Sequence, residues 1–316
     1  LKRIGPAPQT LPAQGNPRLP VQPAPVRAKH PPAPPRPAMS APTTRAENAI
    51  KWDVRREEGY GGYLCLDLLL AAQQPRSGDH DEMLFIIIHQ ASELWIKLLL
   101  HELTAATRLL REDAIEDALK ILARVGRVQL QLIQSWDVLS TMTPHDYGRL
   151  RPHLGASSGF QSYQYRQLEF LLGNKDSRLI DVHRDDPAQY ALLRDTLATP
   201  GIYDEALMLL SRRGFAVPPD KLARDWTLPY QPDEQVEAAW LGVYGDVEAS
   251  WDLYDLAEKL VDVDDRFQQW RFRHLRTVER IIGFKRGTGG SSGVPYLSRA
   301  MELRLFPELW SLRTKL

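Results

Sequence analysis

The chain has 316 residues, 43% hydrophobic and 25% charged, with 40 Lys/Arg against 40 Asp/Glu and a single cysteine. That size and balance fit one large globular domain or two ordinary ones. A formal charge of zero gives no reason to expect nucleic acid, and Cys65 alone excludes an internal disulfide, a Cys-rich zinc site and a Cys-ligated iron–sulfur cluster.

Residues 1–38 hold twelve of the 24 prolines, in stretches such as "HPPAPPRPA". Proline at that density builds neither helix nor sheet. Residues 1–46 also carry seven Lys/Arg and no Asp or Glu, which leaves 33 basic against 40 acidic residues in 47–316, a formal −7. The expectation is a disordered, basic, Pro-rich tail over 1–46 and one folded domain over 47–316, with Met39 reading as a natural start. The lone thiol fits a reducing compartment. No apolar run approaches the ~18–20 residues of a membrane span, and the N-terminus lacks the apolar core of a signal peptide. The location expected is cytoplasmic, with no membrane or nucleic-acid partner.

From near Trp52 onward the chain reads as helical almost throughout. The run Met83–Ile88 is apolar without interruption and leads straight into His89. Over 114–140, Ile115, Ala118, Leu122, Val125, Leu132, Trp136 and Leu139 recur at helical spacing. Asp113 and Glu116 suggest a capping box at its start. Residues 158–172 and 203–213 each end before a glycine, Gly173 and Gly214, as a C-terminal stop requires. Residues 215–232 read as a proline-rich surface connection. A long helical pattern covers roughly 235–283. No period-two alternation or flanked hairpin turn is found, and the fold class expected is all-α.

Chemistry is sparse. There is no His-Glu-x-x-His, no Cys-x-x-Cys, and no Glu followed by His at the third position, so a metal held by protein ligands alone is disfavoured. A haem asks for less, since one axial imidazole suffices, and covalent c-type attachment is excluded. His274 shares a helical face with Phe267, Trp270, Thr277, Val278 and Ile281 and is flanked by Arg271, Arg273 and Arg276. His89 has Phe85 one turn before it. Two readings stay open for each imidazole: a hydrogen-bonded core residue, or one wall of a haem pocket. "GFKRGTGGSSGV" (283–294) is neither a Walker loop nor a dinucleotide fingerprint, because it lacks Gly-Lys-Ser/Thr and follows a helix. It reads either as a flexible linker or as a loop able to close over a small polar ligand. Tyr147 and Arg151, four apart, can present a phenol and a guanidinium on one face. That pair is either a carboxylate clamp or an ordinary surface arrangement.

Taken together, "YGGYLCLDLLLAAQQP" (60–75), "HDEMLFIIIHQASELWIKLLLHEL" (80–103), "SSGFQSYQYRQLEFLLGNK" (157–175), "LVDVDDRFQQWRFRHLRTVERIIGFKRGTGGSSGV" (260–294) and "FPELWSLRT" (306–314) resemble the bacterial tryptophan 2,3-dioxygenase family. The resemblance implies an all-helical fold around one non-covalent heme b per subunit, and a homotetramer. It implies insertion of both atoms of O2 across the indole C2–C3 bond of L-tryptophan. The product is N-formyl-L-kynurenine, the first step of the kynurenine route. It implies His274 as the proximal ligand, His89 as the distal histidine meeting the indole N–H, and Phe85 packing on the indole. It further implies Tyr147 and Arg151 on the carboxylate, Thr288 on the ammonium, and Ser158 on the distal side. Tyr60, Tyr63 and Leu64 would reach a neighbouring subunit's site. The rivals are an indoleamine 2,3-dioxygenase, a helical haem carrier or sensor, and a cofactor-free helical scaffold.

Overall fold

The computed structural model describes residues 59–290 and 292–316; the segment 1–46 expected as a disordered tail lies outside them, as does the start of the body near Trp52. Every regular element among the described residues is helical. In chain order these are α1 (Tyr60–Tyr63), α2 (Leu66–Leu70), α3 (Asp81–Arg111), α4 (Ile115–Leu139), α5 (Pro144–Leu154), α6 (Tyr163–Leu171), α7 (Pro187–Leu197) and α8 (Ile202–Arg212). After them come α9 (Pro219–Leu222), α10 (Glu234–Gly245), α11 (Trp251–Ile281), α12 (Val294–Ala300) and α13 (Pro307–Ser311), with short 3-10 turns at Gly159–Gln161, Ser177–His183 and Leu312–Thr314.

Three long helices form the frame. α4 lies between α3 and α11 and packs along both. The expected face of α4 is the buried one: Ile115, Ala118, Leu122, Val125, Leu132 and Leu139 are all in the core. Trp136 is only half-buried, because it borders a cavity. At Gly126 a Cβ would come within 2.6 Å of the Arg266 guanidinium, so a bare backbone here lets an α11 side chain lie across α4.

α3 explains the uninterrupted apolar run. One face carries Ile96, Leu99, Leu103, Ala106 and Leu110 into the core, and its N-terminal continuation, Phe85, Ile88, His89 and Ser92, lines the cavity. By length and average hydropathy α3 is apolar enough to cross a membrane, although its longest uninterrupted apolar run, Met83–Ile88, is short and one face of the helix packs into the core. Its apolar character is used twice over, against the core and around the cavity. Met83, Ile87 and Leu94 stay exposed on the remaining side.

Helix ends separate what local chemistry specifies from what it does not. Gly173 and Gly214 have φ of 99° and 91° and close their helices as expected. The capping box over Asp113 is not formed. Asp113 has φ 62°, Ala114 occupies the N-cap, and the Asp113 carboxylate accepts from Arg213 Nε and Nη2 at 3.1 and 2.7 Å. The 235–283 pattern breaks at Asp246–Ser250 into α10 and α11. The C-terminal block is fixed by two buried carboxylates. Asp264 of α11 accepts from Leu305 N (3.1 Å) and Trp310 Nε1 (2.8 Å). Glu308 of α13 accepts from the hydroxyls of Tyr203 and Tyr230 and from Asp233 N, at 2.7–2.9 Å. Residues 60–316 form one compact unit.

Candidate active site

A cavity opens where the N-terminal half of α3, the C-terminal half of α11, the end of α4, α5 and the segment 157–169 meet. Its floor is a small apolar cluster, separate from the main core, in which Leu139, Met142, Tyr147, Leu150 and Ile281 are buried and Phe85, Ile88 and Trp136 pack against them. His89 and His274, 185 positions apart in sequence, both line this space.

Each imidazole is held in a defined state. His89 Nδ1 is 2.7 Å from the Phe85 carbonyl oxygen. A carbonyl only accepts, so Nδ1 carries the proton and Nε2 presents a lone pair. Burial lowers the His89 pKa, against the opposing effects of the Phe85 hydrogen bond and the Glu93 charge, so the neutral ring is favoured. His274 is pulled further, down to about 4, by burial and then by the nearby His89. Its ring stacks on Trp136 with centroids 4.5 Å apart and planes 8° from parallel, and neither of its nitrogens has a hydrogen-bond partner among the described residues. A core histidine is normally satisfied, so an orphaned, neutral imidazole facing a cavity favours the ligand reading.

The polar rim is built by α5 and the glycine loop. Thr143 opens α5 with a capping box to Asp146, which sets Tyr147 and Arg151 one turn apart. Tyr147 lines the cavity with its phenol pKa raised by burial, partly offset by Arg151. Arg151 sits behind the lining rather than in it. Its Nη2 donates to Arg286 O at 2.6 Å, and its Nη1 is buried without a partner. Thr288 Oγ1 donates to Ser157 O. The loop lies so close that a Cβ on Gly289 would come within 2.6 Å of Ser158 Cβ, and at Gly293, with φ 66°, a Cβ would come within 2.8 Å of Lys285 O. Ser158 Oγ caps the turn Gly159–Gln161 by accepting from Phe160 N at 3.3 Å.

Seven of the ten expected site residues therefore meet around one space: Phe85, His89, Tyr147, Ser158, His274 and Thr288 line it, and Arg151 backs it. Tyr60, Tyr63 and Leu64 do not join them within this chain; they are exposed, the two tyrosines at 78% and 84%. Sequence reasoning missed a deeper wall. Glu93 accepts from Gln164 Nε2 at 2.8 Å, and a buried cluster places Glu169 between Arg166 and Arg271. Trp136 was legible only as a core position, because its spacing is that of the buried face.

An all-helical frame enclosing an apolar cavity lined by two imidazoles, with hydroxyl groups at the rim and a guanidinium behind it, is a site whose chemistry suits a haem-dependent enzyme. The donor set fits that group: an imidazole nitrogen, flat aromatic walls, an unpartnered Trp136 N–H at the cavity and an unpartnered Arg151 N–H behind it. The tryptophan 2,3-dioxygenase family model matches residues 46–198 and 196–316, and the chain belongs to that family. It is similar to the tryptophan 2,3-dioxygenases of Burkholderia pseudomallei (strain K96243), at 58% identity over 264 residues, 84% of this chain and 86% of the relative. Burkholderia mallei (strain ATCC 23344) has one 57% identical over the same shares.

Proposed function

We propose that the chain uses haem to oxidise L-tryptophan with O2, adding both oxygen atoms across the indole C2–C3 bond to give N-formyl-L-kynurenine. His274 would hold the iron of a non-covalent heme b, one per chain, and that group, when bound, would supply the activation of O2. The remaining roles belong to the protein. Phe85 and Ile88 exclude water from the distal space and pack on the indole. His89, neutral with its lone pair on Nε2, accepts the indole N–H and orients the ring. C3 of indole is itself nucleophilic, so His89 positions the substrate and is not required as a base.

The zwitterionic end meets the rim. Arg151 takes the carboxylate; its free Nη1 is available at once, and its Nη2 can exchange the Arg286 carbonyl for a charged oxygen. Arginine suits this position better than lysine because its planar fork fixes direction as well as charge. Tyr147 adds a phenol donor. Thr288 has committed its hydroxyl proton to Ser157 O, so its oxygen is left to accept from the ammonium. Ser158 shapes the distal side beneath the loop. Tyr60, Tyr63 and Leu64, exposed on this chain, would enter a neighbouring subunit's site in a homotetramer located in the cytoplasm.

The observation that carries this reading is the pair of neutral imidazoles on α3 and α11 lining one cavity. The test is an anaerobic spectrum of the reduced, hemin-loaded protein followed by O2 with L-tryptophan. Growth of N-formylkynurenine absorbance is expected. Loss of the ferrous spectrum without product would reduce the protein to a haem carrier.

A further inference from the structure

Aromatic rings run in contact from the cavity wall into the core. The His274 imidazole stacks on Trp136. Trp270 lies 5.7 Å from the His274 ring and 5.8 Å from Trp136. Tyr165 is 5.2 Å from Trp270. The series ends on a hydrogen bond: Tyr165 Oη donates to Glu169 Oε1 at 3.1 Å. Glu169 is buried between Arg166 and Arg271.

Aromatic packing beside a core is common, and a buried phenol needs some partner. Two features go beyond packing. The two tryptophans and the tyrosine are the side chains that give up an electron most readily among those in contact here, and they form an unbroken path beginning at the proposed axial imidazole. The path ends on a phenol whose partner is a carboxylate. Burial and the Glu169 charge hold that phenol well above its ordinary pKa, so the proton does not leave by simple ionisation. An oxidised phenol is a far stronger acid than a carboxylic acid, so loss of an electron would send the proton directly to Glu169.

We propose that Trp136, Trp270 and Tyr165 are an electron-donating path that protects the haem pocket when hydrogen peroxide reacts there in place of O2 and tryptophan. The proposal rests on haem bound at His274. Cleavage of the peroxide O–O bond consumes two electrons. The haem provides one, and the path provides the other. Tyr165 loses an electron through Trp270 and its phenolic proton to Glu169 Oε1, leaving a neutral tyrosyl radical. A small one-electron reductant, ascorbate in the assay, returns an electron to Tyr165, whose proton comes back from Glu169, and a second equivalent of the reductant restores the electron the haem gave up. One of the two oxidising equivalents is thus stored on Tyr165 instead of attacking the porphyrin and the side chains around it.

The test freezes ferric, haem-loaded protein after mixing with hydrogen peroxide and records its paramagnetic resonance spectrum, with and without ring-deuterated tyrosine. A tyrosyl signal that narrows on deuteration is expected. It should be lost in Tyr165→Phe and also in Trp270→Phe, which leaves the phenol in place and breaks only the path. Both variants should lose their Soret band to peroxide faster than the parent, and ascorbate should quench the parent's signal. A tyrosyl signal of equal yield in both variants, or one unchanged by deuteration, would overturn the path. A preparation with no Soret band at all would instead overturn the haem reading on which it rests.

Discussion

Replacing Arg151 by leucine separates two jobs that one guanidinium performs. Toward the substrate it would supply two charge-assisted hydrogen bonds to a carboxylate in a largely dry setting. Each such bond is worth about 1.5–3 kcal/mol, so their loss should cost at least about 3 kcal/mol, on the order of 10²-fold in tryptophan affinity. Toward the protein it donates one bond to Arg286 O at 2.6 Å, a neutral acceptor. That loss, about 1–2 kcal/mol, would weaken every ligand that needs the loop closed, by roughly tenfold. The comparison that isolates the clamp uses L-tryptophan and tryptamine, which lacks the carboxylate, titrated against the Soret band of the same protein. Arg151→Leu should lose on the order of 10²-fold more affinity for tryptophan than for tryptamine. Equal losses would refute the clamp and leave Arg151 as a loop latch alone.

His274→Ala should abolish haem retention, read as loss of the Soret band after gel filtration, with helical content by circular dichroism unchanged. His89→Ala should keep its haem, bind tryptophan more weakly and retain measurable turnover; total loss of turnover with normal binding would restore an obligatory base role. Gly289→Ala should hold the loop off Ser158, since its Cβ would come within 2.6 Å of Ser158 Cβ, and lower tryptophan affinity; Ser158→Gly in the same chain should recover part of the loss. The pH dependence follows from the direction of the shifts. The His274 pKa lies at about 4 against an ordinary 6.5, so the folded haem-free protein binds fewer protons than the unfolded chain between those values. Its stability should therefore be fully present above pH 6.5 and fall as the pH drops toward 4, measured by urea unfolding, and His274→Ala should flatten that fall.

The frame was legible wherever a local rule determined it. The buried face of α4 follows from spacing alone, and Gly173 and Gly214 end their helices because only glycine enters a positive φ cheaply. Asp113 defeated the same logic because an arginine 100 positions away, Arg213, took its carboxylate. The break between α10 and α11 was hidden because apolar spacing continues across it, although Gly245 and Asp246 mark the place. The site was legible only in part. His89 and His274 each had a bland alternative, and whether an imidazole is covered by side chains or by a cavity is a property of the assembled helices. The Arg166–Glu169–Arg271 cluster left no signal because Arg166 and Glu169 read as an ordinary i,i+3 surface pair and Arg271 comes from a distant helix.

The central claim is that this pocket splits dioxygen between two carbons of one indole. Turnover of L-tryptophan under dioxygen of the heavy oxygen isotope, with the product weighed by mass spectrometry, tests it most directly. The account predicts N-formylkynurenine carrying two heavy oxygen atoms from a single O2. A product carrying one, with the other oxygen taken from water, would contradict it.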